Sequence, residues 1–324
     1  MTQGASSQLR GPATSRAATR ARADRLSSVT APREILPGRT YLVTRRCTQR
    51  QYLLTPTALT NQIARYCSAV AIKQTGVQLN AVCVMSNHWH GVVTDPHARL
   101  PQFLGRFHAL LAKAQNASLG RWENLWSSEK ASIVHLTSPE NVLGKMAYTI
   151  ANPTSAGLVA RPERWPGLIA SPHLNSSFSA RKPKKFFASP SPLPDLLRVQ
   201  LLRPPGFDQL SDPEFSARLS LAVEALVQRA RDDIASRGAS FLGAAQVRRQ
   251  AFDARPSATA RHRRLSPTVA AHAPVPRMQA LAKRGAFVRA YRRAWKRFRS
   301  GARDVKFPPG TYALRLHSVV VCEQ

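Results

Sequence analysis

Four short stretches between residues 40 and 136 either alternate apolar with polar residues or run apolar throughout. A period of two is typical of a half-buried β-strand, and a short apolar run is typical of a fully buried one. We therefore predict four strands, over residues 40–48, 77–85, 88–94 and 132–136.

Apolar residues at helical spacing occupy the two long gaps between these strands. The first helix is predicted to begin with Thr55 as N-cap and Pro56 at its first position, and to end at Gly76. A second helix is predicted to open at Pro101, followed by leucine and phenylalanine at positions that share one face.

A third helix is predicted to begin at Ser138-Pro139. It is expected to end near Asn152, because Pro153 disfavours helical backbone at the residue before it. The resulting order, β-α-β-β-α-β and then a helix, is that of the ferredoxin-like motif. We expect an α+β fold, in which an antiparallel sheet carries two helices on one face and is followed by this third helix.

Shifts in composition divide the chain into four parts. Residues 1–35 are predicted to be a basic disordered arm, although an Arg- and Ser-rich composition is shared with organelle transit peptides. Residues 36–175 hold the periodic patterns and are the predicted folded domain. Residues 176–205 are rich in Pro, Ser and Lys and are typical of a linker, and residues 206–324 are predicted to be a basic, mostly helical C-terminal extension.

The charge balance narrows the class of partner. The 324 residues include 48 Lys and Arg against 17 Asp and Glu, a net charge of +31 at pH 7. This argues against an ordinary metabolic enzyme and indicates a polyanionic partner, either nucleic acid or an anionic membrane surface. Residues 40–175 carry 13 basic and 5 acidic side chains, whereas residues 176–324 carry 28 and 10, so most of the charge lies outside the predicted domain.

Two further features bear on the location of the protein. No stretch of about 18 apolar residues is present, so no transmembrane helix and no membrane partner are expected. The four cysteines, Cys47, Cys67, Cys83 and Cys322, form no CxxC pair. Neither a zinc ribbon nor a disulfide framework is therefore expected, and the reducing cytoplasm is the simpler setting.

The sharpest local pattern is His88-Trp89-His90 in the third strand. Alternate residues of a strand share a face, so both imidazoles point the same way, about 6.5–7 Å apart along the chain, while Trp89 faces the helices. Two adjacent imidazoles form half of a metal site. The alternative is that both histidines simply share a polar face of the sheet.

Tyr148 and Asn152 are four residues apart on the third helix, and therefore lie on one face of it. A tyrosine hydroxyl is a poor nucleophile at its ordinary pKa of about 10 and needs a metal-polarised electrophile or a base nearby. An asparagine one turn away offers a carbonyl oxygen as a third metal ligand. The alternative is that Tyr148 packs with its neighbours while Asn152 caps the helix before Pro153.

The segments MSNHWHGVV and YTIANPTSAGLV resemble the REP-associated tyrosine transposases and, more broadly, the single-tyrosine transposases of the HUH (His-hydrophobic-His) superfamily. The resemblance covers residues 36–167. It also includes Arg45-Arg46, Trp126 and the sequence WPG at residues 165–167. Two departures are Ser86, where related sequences often have proline, and Thr154-Ser155, in place of a valine and a basic residue.

The resemblance implies a role for each matching residue. His88 and His90 would hold Mg²⁺ or Mn²⁺, with Asn152 as the third ligand. Tyr148 would attack a DNA phosphate and form a 5′-phosphotyrosine intermediate with a free 3′-hydroxyl, which later reseals the strand. The substrate would be single-stranded or hairpin DNA from palindromic repeats, handled by a monomer or homodimer in the cytoplasm at the nucleoid.

Basic residues near the first strand and near the C-terminus are the predicted DNA contacts. Arg45, Arg46 and Arg50 lie near the sheet that carries the histidines, and an arginine there could hold the scissile phosphate through two hydrogen bonds. Arg45 and Arg46 point to opposite faces of the strand, so at most one of them reaches the site. The alternative for each is a solvated charge.

A basic helix is predicted over residues 279–300. Its cations would follow a phosphate backbone, and its aromatic residues would either dock the helix on the protein or stack on unpaired bases. The predicted cationic contacts are Arg289, Arg292, Arg293, Lys296 and Arg297. If this region only grips DNA, a chain cut after Leu174 should bind DNA less tightly yet keep its chemistry.

Two other function classes fit part of these observations. A non-catalytic nucleic-acid-binding protein on a ferredoxin-like scaffold would explain the charge, but not the histidine pair together with Tyr148 and Asn152. A replication initiator or relaxase of the same superfamily fits less well. Relaxases typically place the tyrosine before the histidine pair, and many initiators carry a second tyrosine on the same helix.

Overall fold

A computed structural model describes residues 32–187, 192–257, 267–271, 273–312 and 321–322. The chain forms two compact units, one of residues 35–285 and one that combines residues 1–34 with 286–324. The predicted disordered arm, residues 1–35, lies almost wholly outside the described residues.

The elements of the two units are named here in chain order. The strands are β1 (Arg39–Arg46), β2 (Gln78–Met85), β3 (His88–Asp95), β4 (Ser132–Leu136), β5 (Ile169–Ala170), β6 (Ser177–Arg181), β7 (Leu196–Gln200), β8 (Val269–Ala270), β9 (Lys306–Phe307) and β10 (Val321–Cys322). The helices are α1 (Ala58–Thr75), α2 (Leu100–Ser118), α3 (Pro139–Ser155), α4 (Asp212–Ser236), α5 (Ala244–Arg249) and α6 (Pro274–Arg299).

A six-stranded sheet with the order β5-β2-β3-β1-β4-β8 forms the centre of the larger unit. All its pairings are antiparallel except that of β4 with β8. The predicted α+β class is therefore confirmed, and so is the order β-α-β-β-α-β followed by a helix. Strands β5 and β8 come from beyond the predicted pattern and extend the sheet at both edges.

Side-chain alternation gives each face of the sheet its own apolar layer. One face carries Tyr41, Val43 and Trp89 and packs against α1 and α2 in a single cluster. The opposite face carries Leu42 and Val92, which pack against α3. Because residues that pair directly across antiparallel strands share a face, these two layers also fix where the polar residues of each strand point.

Helix α4 packs against α3 on this second face. Phe215, Leu219 and Val223 of α4 are buried in the cluster that also holds Met146 and Ile150 of α3. The helix begins at a capping box, in which the hydroxyl of Ser211 accepts from Glu214 N–H and the Glu214 carboxylate accepts from Ser211 N–H. The C-terminal extension therefore completes the core of the larger unit.

The described part of residues 176–205 differs from the predicted linker. Strands β6 and β7 pair as an antiparallel hairpin, and Ala180 and Val199 are buried against α1. The hydroxyl of Tyr66 on α1 donates to Pro194 O at 2.7 Å. A composition rich in Pro, Ser and Lys does not reveal these tertiary contacts. A chain cut after Leu174 would lose this hairpin and α4, and would expose the apolar residues that they cover.

Two helix ends differ from the predicted ones. Helix α1 is capped by Thr57, whose hydroxyl accepts from Thr60 N–H, while the Thr55 hydroxyl donates to backbone carbonyl groups elsewhere. Helix α3 continues past Asn152 to Ser155 although Pro153 lies inside it. Burial of Pro153 and Thr154 outweighs the local bias against helix, and Pro153 O accepts from Leu158 N–H.

The smaller unit is built on the C-terminal part of α6. Its apolar cluster joins Ala294 of that helix to Val305 and Phe307, and β9 pairs in parallel with β10. No helix in the described residues is long and apolar enough to cross a lipid bilayer.

Asp95 links the end of β3 to the beginning of α2. The side chain is fully buried, and its two carboxylate oxygens accept hydrogen bonds from the backbone N–H groups of His97, Arg99 and Leu100. These groups belong to the entry of α2, where backbone donors have no partner within the helix. The carboxylate therefore holds the β3–α2 connection that follows the His88-Trp89-His90 segment.

Replacing Asp95 with alanine is expected to lower the free energy of unfolding by about 2 kcal/mol, because buried donors would lose a charged acceptor. Urea unfolding followed by circular dichroism measures this change. Asp208→Ala, at an exposed position, is the matched control and should change stability by less than about 0.5 kcal/mol. Equal effects of the two substitutions would contradict the capping role.

Candidate active site

Strand β3 presents His88 and His90 on the sheet face covered by α3. Their ring centroids are 4.7 Å apart and the rings are nearly perpendicular. Trp89 points to the opposite face, where it is buried among α1 and α2. Gly91 makes room for it, since a Cβ atom there would come within 2.6 Å of the Trp89 ring. The buried tryptophan thus sets the direction in which both imidazoles point.

Helix α3 brings Tyr148 to this pair. The Tyr148 ring centroid lies 5.5 Å from that of His90, edge to face. Tyr148 is 38% exposed, so part of its side chain is accessible from solvent. Asn152 lies one helical turn further along, with only 8% of its surface exposed. The helix packing therefore gathers three of the four predicted residues at one end of the sheet and places the fourth on the adjoining turn.

Hydrogen bonds to Nδ1 orient both imidazoles. His88 Nδ1 lies 2.6 Å from Asn87 Oδ1, which can only accept, so the proton of a neutral His88 is on Nδ1. His90 Nδ1 lies 2.8 Å from the Thr44 hydroxyl, on the neighbouring strand β1. Because Nδ1 of each ring is engaged in a hydrogen bond, Nε2 of each ring is left for a ligand. In His88 this Nε2 atom carries the lone pair, since the proton of the neutral ring is on Nδ1.

The surroundings keep both histidines neutral. Burial, together with smaller contributions from the positive charges of Arg46 and Arg50, lowers the pKa of His88 to about 4. Burial also holds the pKa of His90 well below its usual range, with contributions from His88, Arg46 and Lys145. A neutral imidazole is the form that binds a metal ion, so protons would not displace a metal at mildly acidic pH.

The donor set fits a divalent ion that also binds phosphate. Within the described residues, no three side chains of His, Cys, Asp or Glu meet in a metal-binding group. His88 and His90 would therefore need Asn152 and oxygen ligands from the substrate or water. Mg²⁺ and Mn²⁺ commonly keep such oxygen ligands, and a site without carboxylates leaves the negative charge to the phosphate.

The three predicted arginines of β1 and the turn after it have different surroundings. Arg46 pairs with His88 in the strand register, is exposed, and shares the histidine face. Arg45 pairs with Trp89 and points to the other face, where it donates to Glu129 O at 2.5 Å and Ser127 O at 3.0 Å. The carbonyl of Arg50 accepts from the Asn87 amide, and the charge of Arg50 acts on His88. Of the two arginines of β1, Arg46 is the one that shares the histidine face.

In the smaller unit, the predicted basic contacts of α6 are all exposed: Arg289, Arg292, Arg293, Lys296 and Arg297. The aromatic residues of the helix are used internally. Tyr291 and Phe298 contact Phe307 with ring centroids 5.7 and 6.0 Å away. This supports the docking interpretation of the aromatic residues and leaves the cations for a polyanion.

Sequence reasoning missed the residues that orient the site. Neither Asn87, Thr44 nor Lys145 is among the residues that the sequence patterns predict at the site. Lys145 lies one turn before Tyr148, with its amine 5.4 Å from the centre of the Tyr148 ring. The spacing of three on α3 could have indicated this contact, and alternation on β1 could have placed Thr44 beside Arg46.

His108 of α2 supports the site from the other face of the sheet. The indole N–H of Trp89 donates to His108 Nε2 at 3.1 Å, which requires neutral His108. Burial lowers the pKa of His108 to about 3, with a smaller contribution from Arg45. The unfolded chain, with an ordinary histidine pKa near 6.5, therefore takes up the proton first as the pH falls. The stabilising effect of neutral His108 is complete above about pH 6.5 and is lost progressively towards pH 3.

His108→Gln should weaken this pH dependence, because a glutamine carbonyl can accept from Trp89 and does not titrate. Between pH 7 and pH 5, the variant is expected to lose about 1–2 kcal/mol less stability than the unmodified chain. Urea unfolding at the two pH values measures the difference. His173→Gln, outside the sheet, serves as the control, and an unchanged pH dependence in His108→Gln would contradict the argument.

Comparisons with known proteins were made by sequence and by structure. No protein-family model and no curated protein matches the chain. Among solved structures, the chain is similar to a REP-associated tyrosine transposase bound to a REP hairpin. The two are 18% identical with a TM-score of 0.36, over 42% of this chain and 78% of that one. A TM-score of this size carries no argument about fold or chemistry, so the functional interpretation rests on the residues of the site.

Proposed function

We propose that this protein is a metal-dependent tyrosine transposase that cuts and rejoins single-stranded or hairpin DNA. The observation that carries the proposal is the placement of Tyr148 against the histidine pair. Its ring is 5.5 Å from His90, which is 4.7 Å from His88, at an open end of the sheet. A buried tyrosine packed between apolar residues would not need two oriented, neutral imidazoles beside it.

The residues that would hold the metal ion are His88 and His90 through Nε2, and Asn152 through its amide oxygen. A bound Mg²⁺ or Mn²⁺ would polarise a phosphoryl oxygen and lower the barrier to nucleophilic attack. The hydrogen bonds of His88 with Asn87 and of His90 with Thr44 would preserve the direction of both imidazoles during the reaction.

Tyr148 supplies the nucleophile. Its hydroxyl oxygen would attack the phosphorus atom of the scissile phosphodiester. A bond from the tyrosine oxygen to this 5′-phosphate would form, and the P–O3′ bond would break. The departing 3′ oxygen would take up a proton as the phenol loses one. The reverse attack by a 3′-hydroxyl would reseal the strand, because the phosphotyrosine retains the energy of the phosphodiester.

Cationic side chains around the site would bind the DNA. Arg46 is exposed opposite His88, and Lys145 lies beside Tyr148. Arginine and lysine here would neutralise the two phosphates nearest the break, and the exposed cations of α6 would bind the backbone elsewhere. In this proposal the protein acts on DNA at the nucleoid.

We expect a covalent protein–DNA adduct when the protein is incubated with a single-stranded hairpin oligonucleotide and Mg²⁺ or Mn²⁺. The adduct should survive denaturant on a gel, and it should be abolished by Tyr148→Phe and by His88→Ala. Tyr52→Phe is the matched control and should leave the adduct unchanged. Mass spectrometry of the trapped peptide would identify the modified residue.

Two results would contradict this assignment. An adduct that persists in Tyr148→Phe would exclude this residue as the nucleophile. The absence of any adduct with either metal, while DNA binding is retained, would favour a non-catalytic nucleic-acid-binding protein on the same scaffold.

Asn87→Ala should weaken metal binding without removing a ligand. The substitution frees the His88 ring to rotate and to change tautomer, and the loss of such supporting contacts typically costs 10- to 100-fold in affinity or activity. A Mn²⁺ titration followed by electron paramagnetic resonance measures the affinity. Asn87→Asp keeps the acceptor for His88 Nδ1 and should retain most of the Mn²⁺ affinity. Equal losses of affinity in the two variants would argue against an orienting role of Asn87.

A further inference from the structure

Residues 242–254, here named the return segment, lead the chain back from α4 to the sheet. The segment begins beside the loop that follows α3. Leu242 N–H donates to Gly157 O at 3.0 Å, and Gly243 N–H donates to Leu158 O at 2.9 Å. The helix α5 comes next. None of residues 242–254 belongs to the motifs that predicted the active site.

Helix α5 is anchored on the sheet face that carries the histidines. Val247 is fully buried and packs in one cluster with Cys83 and Met85 of β2. In the register of β2 with β3, Cys83 lies opposite His90 and Met85 lies opposite His88. Val247 therefore belongs to the apolar cluster that holds the cross-strand neighbours of both imidazoles, on the side of β3 away from β1.

Gln250, three residues after Val247, is the second point at which the return segment is held. The Ser86 hydroxyl donates to Gln250 Oε1 at 2.8 Å, and the Thr55 hydroxyl donates to Gln250 O at 3.2 Å. Tyr52 N–H then donates to Ala254 O at 2.9 Å. Ser86 stands where related sequences often have proline, and proline could not make this side-chain hydrogen bond. The serine at position 86, which departs from the family pattern, therefore makes a hydrogen bond with the return segment.

Arg248 and Arg249 lie between these two anchors. Both are exposed, and neither forms an ion pair or a side-chain hydrogen bond with the rest of the described chain. Their backbone is held on one side by Val247 and on the other by Gln250. The fold therefore presents two adjacent positive charges on a segment that is held against β2, the strand next to the one that carries the histidines. Arg46 of β1 is exposed on the histidine face of the sheet.

We propose that the return segment binds the phosphate backbone of single-stranded DNA through Arg248 and Arg249, next to the phosphate that Tyr148 attacks. The position of the strand relative to the break rests on the proposed function, whereas binding itself does not. Guanidinium groups suit this task because each can donate two parallel hydrogen bonds to a phosphate. The anchored backbone reduces the conformational entropy that would be lost on binding.

Binding of a labelled single-stranded oligonucleotide to the Tyr148→Phe chain tests this proposal, with anisotropy measured over a series of salt concentrations. Replacing both Arg248 and Arg249 with glutamine should weaken binding about tenfold at low salt. It should also lower the slope of log affinity against log salt by about 1.4, because each phosphate contact on a single strand contributes about 0.7.

The matched control replaces Arg218 and Arg229, which are exposed on α4, with glutamine. This control variant has the same net charge as the Arg248 and Arg249 variant, but its substitutions lie outside the return segment. It should therefore bind the oligonucleotide nearly as well as the parent chain does. Equal losses in both variants would overturn the proposal by showing only a general charge effect. No loss in the Arg248 and Arg249 variant would overturn it directly.

Ser86→Ala provides an independent arm that leaves the charge unchanged. Loss of the hydrogen bond to Gln250 should loosen the return segment and reduce affinity several-fold, while Ser86→Thr should restore it. If neither substitution changes the affinity for the oligonucleotide, the hydrogen bond between Ser86 and Gln250 does not position the return segment for DNA binding. If the unmodified chain forms no Tyr148 adduct but these binding effects remain, the proposed transposase function fails and the DNA-binding role of the return segment stands.

Discussion

The site depends on one constraint, the alternation of side chains along β3. Burying Trp89 between α1 and α2 turns His88 and His90 towards α3, and the hydrogen bond from Trp89 to His108 holds that arrangement. A shift of one residue in register would exchange the faces, leaving an indole in the site and two imidazoles in the apolar layer. The large apolar area of a buried tryptophan makes such a shift costly.

Electrostatics then sets what the site can bind. Burial and nearby cations keep both imidazoles neutral, and the side chains around them are Arg46, Arg50 and Lys145. Such a site has a deficit of negative charge, which phosphate can supply. The same cations that would weaken the binding of an isolated metal ion would therefore favour the ion together with a phosphodiester.

The residues beyond 175 contribute to the domain as well as to its charge. Helix α4 packs against α3 in the same apolar cluster, so it stabilises the helix that carries Tyr148. The hairpin β6–β7 covers α1, and the return segment reaches the turn at Ser86. Part of the positive charge beyond residue 175, at Arg248 and Arg249, therefore belongs to a segment that packs against the sheet.

The amino-acid sequence by itself determined the element order, the placement of His88 and His90 on one face of a strand, and the placement of Tyr148 and Asn152 one turn apart on a helix, because strand and helix periods are local properties of the chain. Only the tertiary structure decided which arginine faces the histidines and which carbonyl groups hold Arg45. It also decided that α3 runs through Pro153, that Thr57 caps α1, and that β6 and β7 pair with each other. Each of these outcomes depends on contacts between residues distant in the chain, such as Thr55 with Gln250 and Tyr66 with Pro194. Local periodicity does not encode such contacts, because they arise when packing energy outweighs the preferences of individual residues.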